Sequence, residues 1–508
     1  MDDKTGFLRR SFLKTLGSLT VGLTAIPSFA SSLPGVGSKD GDPYRQARAK
    51  YMGDFAAPKL DKVKVAIIGV GARGPTHAYH AAAAQGTEFV GICDLYEDLC
   101  VDAKRTVLHM DSQRHKDVKI YFGDQYAYRK MLAETKPDAV WIATPWEWHA
   151  QMAIDAMNAG AHAFVEVPLS TTVEDIWRII DTSETTGKHC MMLENVNYGR
   201  DELMFLNMCR QNVFGELLHG EAAYIHELRD QMTQVEEGRF SGFWRVHRRA
   251  EMKGNLYPTH GLGPVAQYMS LARGEDNFRR IVSFSTPARG GQLYAKAKFK
   301  PDSPVNKIDF SGGGDTSTSI IKTALGRTIM VQWDETTPRP YSRLNLIQGT
   351  RGTGAGFPNR IALDYCWNNA TPELRTLLKL PEDKPDQSSD YHEWIEGEGF
   401  KAKDHRSWFE GGGFNAFYEY FDHPLYTRME GIAAKYGGHG GMDAIMNFRI
   451  IECLRQGLPL DQNIYEGAYW SSVGALSRKS VEEDGMPQDF PDFTRGNWKT
   501  TKRLEIVT

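Results

Sequence analysis

Val63-Lys64-Val65-Ala66-Ile67-Ile68 runs directly into Gly69-Val70-Gly71-Ala72-Arg73-Gly74. The first six residues are typical of a buried β-strand, the next six have the spacing G-x-G-x-x-G, and a helical pattern follows. Gly69 permits a tight turn, Gly71 lets the backbone approach a pyrophosphate, and Gly74 allows the helix to pack closely on the strand. Free N–H groups at the start of that helix favour phosphate binding. The pattern predicts a dinucleotide site; the alternative is a tight glycine turn without a ligand.

A second apolar strand, Glu88-Phe89-Val90-Gly91-Ile92-Cys93, ends at Asp94. An acid at the end of the second strand can hydrogen-bond both ribose hydroxyls of NAD, and it would repel the 2′-phosphate of NADP. The predicted cofactor is therefore NAD, with Gly69, Gly71, Gly74 and Asp94 among its contacts.

Strands and helices alternate from residue 62 to about residue 193. This rhythm predicts an α/β fold with an N-terminal Rossmann-type, doubly wound parallel sheet. Past Tyr198 the pattern changes to strand-like segments separated by long loops, which predicts an α+β domain with a large mixed or antiparallel sheet. The predicted domains are residues 61–197 for the nucleotide and residues 198–508 for the substrate. The predicted strands and final helices of the second domain are 220–228, 280–285, 317–324, 328–333, 344–348, 441–455 and 464–482.

The N-terminus contains a twin-arginine pattern, Arg9-Arg10-Ser11-Phe12-Leu13-Lys14, followed by an apolar stretch to residue 29. That stretch is too short and too weakly apolar to predict a stable membrane span. Residues 1–30 are therefore predicted to be a twin-arginine signal peptide, read by the matching export machinery, and residues 31–60 a linker. The predicted location is periplasmic or otherwise exported; the alternative is a disordered tail with a chance pair of arginines.

Composition excludes several classes of partner. The chain has 508 residues, a net charge of −4 and no long basic run, so nucleic acid is not an expected ligand. Its six cysteines form no C-x-x-C pair, and neither zinc-ligand spacing nor H-x-x-x-H is present, so no metal site is predicted. Oligomeric state is left open, and a homo-oligomer is compatible with the sequence.

Ligands bind beyond the carboxyl ends of the strands in an open α/β sheet. Four such ends carry polar or aromatic side chains: Asp94, residues 144–149 (T-P-W-E-W-H), residues 166–168 (E-V-P) and residues 194–198 (E-N-V-N-Y). Two tryptophans and a histidine in one turn are unusual beside a nucleotide. The alternative for Trp148 is that its indole fills the junction between domains.

The twin-arginine leader, the glycine-rich turn, the E-x-P turn and the large second sheet resemble the oxidoreductases of the glucose–fructose oxidoreductase, inositol dehydrogenase and rhizopine-catabolism family. In that family the turn is usually E-K-P, and its lysine assists the hydroxyl that is dehydrogenated. This chain has Val167 there. An apolar side chain cannot hold or relay a proton, so the departure disfavours simple dehydrogenation.

Five motifs together resemble the NAD-dependent α-N-acetylgalactosaminidases, glycoside hydrolase family 109, over about residues 60 to 480. They are W-E-W-H at 146–149, E-V-P at 166–168, N-V-N-Y-G at 195–199, G-N-L-Y-P-T-H-G-L-G at 254–263 and G-G-H-G-G-M-D at 437–443. The resemblance implies that the nucleotide is contacted by Arg73, Gly74, Asp94, Trp146, Glu147, Trp148, His149, Glu166, Val167 and Asn195. It implies that the sugar is contacted by Tyr224, Arg245, Tyr257, Pro258, Thr259, His260 and Tyr341.

The chemistry that the resemblance implies is an NAD-dependent exception to two-carboxylate glycoside hydrolysis. Hydride leaves C3 of a terminal α-linked N-acetylgalactosamine, the C2 proton becomes acidic, the aglycone is eliminated from C1, water adds, and the hydride returns. His260 is the first candidate for the proton transfers because imidazole titrates near neutral pH. Tyr198 is the second, and which of the two is the C2 base stays open. His439, in a glycine-rich turn, lies on a loop that is either beside the site or merely structural.

Two other functions remain as alternatives. An exported NAD-dependent sugar oxidoreductase of the wider family would turn over added NAD stoichiometrically and release no aglycone. A binding or sensing protein would use its nucleotide structurally and would tolerate substitution of His260 and Tyr198.

Overall fold

The computed structural model describes residues 49–363 and 408–504. The predicted signal peptide, most of the predicted linker and Cys366 lie outside the described residues. Within them the chain forms two β-sheets, one of six strands and one of nine.

The first sheet is entirely parallel and has the order β3-β2-β1-β4-β5-β6. Its strands are Val63–Ile68 (β1), Thr87–Cys93 (β2), Lys119–Tyr121 (β3), Ala139–Ile142 (β4), His162–Val165 (β5) and Cys190–Met192 (β6). The helices between them are Gly74–Ala83 (α1), Glu97–Met110 (α2), Ala127–Thr135 (α3), Trp146–Asn158 (α4) and Val173–Thr186 (α5). The strand order reverses between β1 and β4, where a doubly wound sheet opens a crevice for a ligand.

The second sheet is mixed, with β7 and β10 parallel and its other pairings antiparallel. Its strands are Leu217–Ile225 (β7), Phe278–Ser285 (β8), Thr316–Thr323 (β9), Thr328–Asp334 (β10), Leu346–Gly349 (β11), Gly352–Ala355 (β12), Arg360–Leu363 (β13), Phe409–Glu410 (β14) and Gln488–Asp489 (β15). The helices of this part are Arg200–Arg210 (α6), Thr233–Glu237 (α7), Phe240–Glu251 (α8), Thr259–Tyr268 (α9), Gly290–Lys298 (α10), Gly412–Asn415 (α11), Phe417–Phe421 (α12), Pro424–Tyr436 (α13), Met442–Gln456 (α14) and Ile464–Glu482 (α15). The predicted fold class is confirmed.

Helices α8 and α9 replace loops that the sequence predicts past residue 198. The buried face of α8 includes Arg245 and Arg249, so the sequence does not have the continuous apolar face by which an amphipathic helix is recognised. Helix α9 contains two glycines and Pro264, which weaken helix propensity, yet nearly all of its residues are buried. Tertiary packing therefore decides both helices against their local sequence.

The two C-terminal helices return to the first sheet, and α15 packs against both sheets. Helix α14 contacts α1, and α15 contacts both α5 and β8. Residues 49–60, predicted as part of a linker, are also packed: Met52 and Phe55 are buried, and the Met52 N–H donates to the Tyr465 hydroxyl at 3.2 Å. Their apolar side chains find a surface that the sequence pattern alone does not reveal. The domain boundaries themselves stay predictions.

No helix in the described residues is long and apolar enough to span a membrane. Among the same residues, no group of three His, Cys, Asp or Glu side chains is arranged to hold a metal ion. The five cysteines that are described are free and buried.

Candidate active site

A cleft of about 600 Å³ lies beyond the carboxyl ends of the parallel strands and is closed on its other side by β7 and α8. Residues from the parts of the chain that contain the two sheets line the cleft, including the glycine-rich turn after β1 and His260 of α9. A volume of this size is typical of small-molecule and cofactor sites.

The glycine-rich turn has the shape that a dinucleotide needs. Gly69 has φ +86°, and a Cβ on Gly74 would lie 2.0 Å from the Gly69 carbonyl oxygen, so neither position accepts a side chain. A Cβ on Gly71 would meet nothing within 4 Å, and this residue borders the cleft. No side chain caps the first turn of α1, which leaves its N–H groups for phosphate oxygens.

Asp94 stands at the end of β2 in the same cleft. Its carboxylate accepts hydrogen bonds from the Val70 N–H at 2.8 Å and the Tyr96 N–H at 3.1 Å. These bonds fix the acid beside the glycine-rich turn, where it would receive the hydroxyls of a ribose. The open position at Gly71, the uncapped helix and this acid together fit NAD.

Arg73 joins the glycine-rich turn to two other elements. Its Nε donates to Glu166 at 3.1 Å, and its two Nη groups donate to the two oxygens of Asp443 at 3.2 Å each. Burial disfavours the charge on Glu166, but Arg73 and then His77 outweigh it and hold the pKa of this carboxyl below its ordinary value. Arg73 therefore borders the nucleotide site and also holds two carboxylates, Glu166 and Asp443, in place beside it.

Asp443, at the start of α14, is the centre of this network. Asn195 donates to it at 2.6 Å, and His439 Nδ1 lies 2.7 Å from its other oxygen. Burial raises the pKa of Asp443, but His439 and Arg73 outweigh that effect and hold the pKa below its ordinary value. His439 belongs to a second glycine-rich turn, residues 437–441, and its side chain lines the cleft.

The first turn of α4, which follows β4 after a three-residue link, lines the cleft with four successive residues, Trp146, Glu147, Trp148 and His149. His149 Nδ1 lies 2.7 Å from the Pro168 carbonyl oxygen, and its Nε2 lies 2.9 Å from that of Thr144. Burial lowers the pKa of this imidazole. His149 therefore ties together the turns after β4 and β5, and Val167 from the second turn borders the same space.

His260 is in the first turn of α9, and its side chain is 15% exposed. Its Nδ1 lies 2.7 Å from Oε1 of Glu194, a fully buried carboxylate at the end of β6. Glu194 also accepts from the Val196 N–H at 3.2 Å. A carboxylate at Nδ1 fixes the tautomer with Nδ1 protonated, so that Nε2 can accept a proton.

Aromatic rings surround His260. The ring centroid of Tyr257 lies 4.9 Å from that of His260 and 4.5 Å from that of Tyr224. The guanidinium of Arg245 stands 4.5 Å from the Tyr257 ring centroid and forms a buried ion pair with Glu335. Burial raises the pKa of Tyr224 and of Tyr257, so both phenols are neutral hydrogen-bond donors at neutral pH. We call Tyr224 and Tyr257 the aromatic box. Its rings can pack on the C–H face of a sugar, and its phenols can hydrogen-bond to the hydroxyls of the sugar.

Tyr198 differs from the prediction. Its ring is 2% exposed, and its hydroxyl donates to Asp461 at 3.3 Å, apart from the residues that line the cleft. Burial raises its pKa well above the ordinary value, which is opposite to what a base needs. Its place just after β6 is next to the site in sequence, but the 3₁₀ turn of residues 195–198 points the phenol at α14 and its neighbours.

Four further predicted residues do not line the cleft: Gly74, Pro258, Thr259 and Tyr341. Gly74 packs on Gly69, and Thr259 is buried at the start of α9. Tyr341 is 40% exposed and stands at the cleft's edge, with its ring centroid 4.9 Å from that of His226 and its hydroxyl accepting from Arg343. All the other predicted site residues, Tyr198 apart, border the cleft.

Two family models match this chain. "Oxidoreductase family, NAD-binding Rossmann fold" matches residues 63–194, and "Glycosyl hydrolase 109, C-terminal domain" matches residues 198–500. A glycosyl hydrolase family 109 protein from Akkermansia muciniphila is 52% identical over 514 residues, 98% of each chain. Another, from Shewanella baltica, is 47% identical over 503 residues, again 98% of each chain. The chain belongs to glycosyl hydrolase family 109.

Solved structures share the fold of this family 109 chain. A levoglucosan dehydrogenase in complex with NADH and L-sorbose has a TM-score of 0.58 at 17% identity, over 85% of this chain and 100% of that one. The apo scyllo-inositol dehydrogenase of Lactobacillus casei has a TM-score of 0.53 at 13% identity, over 85% and 99%. The predictions of family and of NAD as cofactor are confirmed.

Several residues at the family 109 site were not predicted from the sequence. Glu194 positions His260, and Asp443 organises the Arg73 network, although both stood inside motifs that the sequence analysis quotes. Nδ1 of His226 lies 2.8 Å from the hydroxyl oxygen of Tyr224, and Trp244 packs on Trp146 with ring centroids 4.9 Å apart. The last two lie in segments with no recognisable motif, so only the fold reveals them.

Proposed function

We propose that this family 109 chain hydrolyses terminal α-linked N-acetylgalactosamine from a glycan by transient oxidation of C3 of the sugar. The observation that carries the proposal is that one cleft is lined both by the dinucleotide turn at Gly71 and by His260, whose Nδ1 is paired with the buried Glu194. NAD⁺, when bound, supplies a reversible hydride acceptor, so that each cycle ends with no net redox change.

The proposed work of His260 is proton transfer at C2. Oxidation of C3 makes the neighbouring C2 proton acidic, and Nε2 of His260 takes it as the C1–O bond to the aglycone breaks. The buried carboxylate of Glu194, 2.7 Å from Nδ1, stabilises the imidazolium that forms. The same imidazolium returns a proton after water adds at C1.

Arg245 and the aromatic box are proposed to hold the sugar. Arg245 uses Nε and Nη2 for Glu335, which leaves Nη1 for an acceptor such as the acetamide oxygen. Tyr257 and Tyr224 offer neutral hydroxyls and apolar ring faces to the galactose ring. Val167 supports hydrolysis over simple dehydrogenation, because this buried, apolar residue stands where the wider family has a proton-handling lysine.

The test is hydrolysis of p-nitrophenyl α-N-acetylgalactosaminide by the purified protein with no added nucleotide. We expect many molecules of p-nitrophenol per chain and no accumulation of NADH, with the α-galactoside and the β-linked N-acetylgalactosaminide as comparison substrates. Reduction of added NAD in proportion to substrate, with no p-nitrophenol released, would instead establish a sugar dehydrogenase. Inertness toward all three substrates, in a protein that still binds NAD, would favour a sensor.

We also propose that the chain is exported in folded form, which is supported by Arg9-Arg10 and the apolar stretch after them. The test is a fusion of residues 1–30 to a reporter that is active only when folded in the cytoplasm before export. We expect the reporter in the periplasm, and its retention in the cytoplasm when Arg9 and Arg10 are both replaced by Lys. Equal periplasmic signal from the two fusions would contradict the proposal.

A further inference from the structure

The segment Gly238–Phe243 joins α7 to the first turn of α8 and contacts the turn after β2 and the start of α2. Gly238, Arg239, Phe240, Ser241 and Phe243 line the cleft opposite Leu95 and Tyr96. Arg239 Nη2 donates to both oxygens of Asp98, at 2.8 and 2.7 Å, across a separation of 141 residues. Its guanidinium also stands 4.3 Å from the centroid of the Tyr96 ring, within cation–π range.

This contact covers one particular end of the cleft. Tyr96 comes two residues after Asp94, and the acid at the end of the second strand marks the adenosine ribose in this fold. His260 borders the cleft from α9, Tyr257 directly precedes that helix and Tyr224 is on β7, and these residues belong to the sugar end of the cleft. The segment therefore lies over the adenosine half of the nucleotide site and is separate from the proposed chemistry.

The backbone of the segment is held in an uncommon conformation. Phe240 has φ +67°, a region that favours glycine, and directly follows Arg239. The Gly242 N–H donates to Gln234 Oε1 at 2.6 Å, which anchors the segment to α7. Strain of this kind persists where the surroundings determine the conformation, and it is concentrated at ligand clamps and switch regions.

The contacts of Arg239 with Asp98 and Tyr96 are exposed to solvent and can break reversibly. The Asp98 side chain is 64% exposed and that of Arg239 is 27% exposed, so water competes for the pair. A second ion pair from α8, Arg248 to Glu147 at 3.7 Å, is also exposed. Separation of Arg239 from Asp98 and Tyr96 thus exposes no apolar side chain of the buried core.

We propose that Gly238–Phe243, the adenosine strap, sets the rate at which NAD dissociates. The nucleotide leaves only after Arg239 separates from Asp98 and Tyr96, so that one molecule of NAD serves many catalytic cycles. The proposal needs only that the chain binds NAD, and it holds whichever glycoside the enzyme cleaves.

The test is the exchange of bound NAD for isotopically labelled NAD in purified holoenzyme. We expect exchange about tenfold faster in Arg239→Ala, the factor that loss of an exposed ion pair and a cation–π contact together produce. Tyr96→Leu keeps the ion pair and removes only the ring, so we expect a smaller acceleration. The matched control is Arg280→Ala, which removes another exposed arginine–aspartate pair, at the edge of the second sheet and away from the cleft, with Arg280 Nε 2.6 Å from Asp489. We expect its exchange rate to equal that of the wild type.

Wild-type exchange rates in both Arg239→Ala and Tyr96→Leu would overturn the proposal. Equal acceleration in Arg280→Ala would also overturn it, because the effect would then come from a general loss of stability. If Arg239→Ala does not fold, Tyr96→Leu decides alone, since Tyr96 is 41% exposed and contributes little to the core. The exchange rate does not depend on hydrolysis, so failure here is distinguishable from failure of the proposed function.

Discussion

His260 is the first candidate for the proton transfers in the sequence and Tyr198 the second, and their surroundings in the structure separate them. His260 borders the cleft with a buried carboxylate at Nδ1, whereas Tyr198 is buried against Asp461. Neither surrounding is visible from spacing, because Glu194 is 66 residues from His260 and Asp461 is 263 residues from Tyr198. Residue type identified both candidates, and only tertiary contacts assign them different roles.

Replacing His260 or Glu194 should affect the chemical step. We expect His260→Ala to lower kcat by about 10²- to 10⁴-fold, the range of a lost general acid–base group. Glu194→Gln keeps the size of the side chain but removes the charge that stabilises the imidazolium, so we expect a comparable loss in kcat with little change in KM. Steady-state kinetics on the nitrophenyl glycoside measure both, and unchanged kcat in either variant would remove the pair from the mechanism.

Tyr198→Phe should have the opposite profile. The substitution removes one buried hydrogen bond, at 3.3 Å, so we expect a loss of about 1 kcal/mol in the free energy of unfolding. We expect kcat within a few-fold of the wild type, because the phenol does not line the cleft. A loss in kcat as large as that of His260→Ala, in a protein of normal stability, would restore Tyr198 as a base.

Two alanine substitutions in the glycine-rich turn should have different consequences. We expect Gly74→Ala to destabilise the fold, because its Cβ would lie 2.0 Å from the Gly69 carbonyl oxygen. We expect Gly71→Ala to fold with normal apoprotein stability, because its Cβ meets nothing within 4 Å, but to retain little NAD. Thermal unfolding of the stripped proteins and NAD content after gel filtration distinguish them. Normal NAD content in Gly71→Ala would place the pyrophosphate elsewhere.

At the scale of elements, the strands were easier to predict than the helices of the second part. The predicted strands 317–324 and 328–333 correspond to β9 and β10, and predicted helix 464–482 has the bounds of α15. The two strands alternate buried and more exposed side chains, and this periodicity is visible in the sequence. Helix α8 has arginines on its buried face, and these are acceptable only because Glu335 lies opposite to pair with them. That partner directly follows β10 and leaves no signature in the sequence of the helix.

Asp443 of α14 holds Arg73 of the glycine-rich turn after β1. We therefore expect Asp443→Asn to lower both the stability of the fold and the binding of NAD. We expect the free energy of unfolding to fall by about 2–3 kcal/mol at pH 7, below the usual cost of a broken buried pair because the Arg73 side chain is 31% exposed and keeps Glu166. Bound NAD should also fall. Urea unfolding and NAD content measure the two effects.

The same comparison has a defined pH dependence. Because the folded-state pKa of Asp443 lies below its unfolded value, its stabilisation is present above about pH 4 and is lost as the pH falls toward the folded-state pKa. The stability gap between wild type and Asp443→Asn should therefore be constant from pH 7 to 5. It should narrow below about pH 4, by at most about 1.4 kcal/mol per pH unit. A gap that widens as the pH falls would contradict the assignment.

At the scale of the molecule, the sequence predicts two sheets but not how they share one cleft. The G-x-G-x-x-G turn and the βαβ rhythm are local, so the first sheet follows from pattern alone. The C-terminal helix α14 returns to the first sheet, and Arg73 meets Asp443 across 370 residues. Contacts at that separation have no local signal, which is why the site's polar network had to come from the structure.

Elimination after oxidation of the sugar leaves a trace at C2, because the proton there is removed and replaced before the product is released. The purified protein is incubated with p-nitrophenyl α-N-acetylgalactosaminide in deuterated water, and the released sugar is analysed by NMR and mass spectrometry. We expect deuterium at C2, since His260 exchanges its proton with solvent between removal and return. Released N-acetylgalactosamine that keeps its original proton at C2 would exclude elimination.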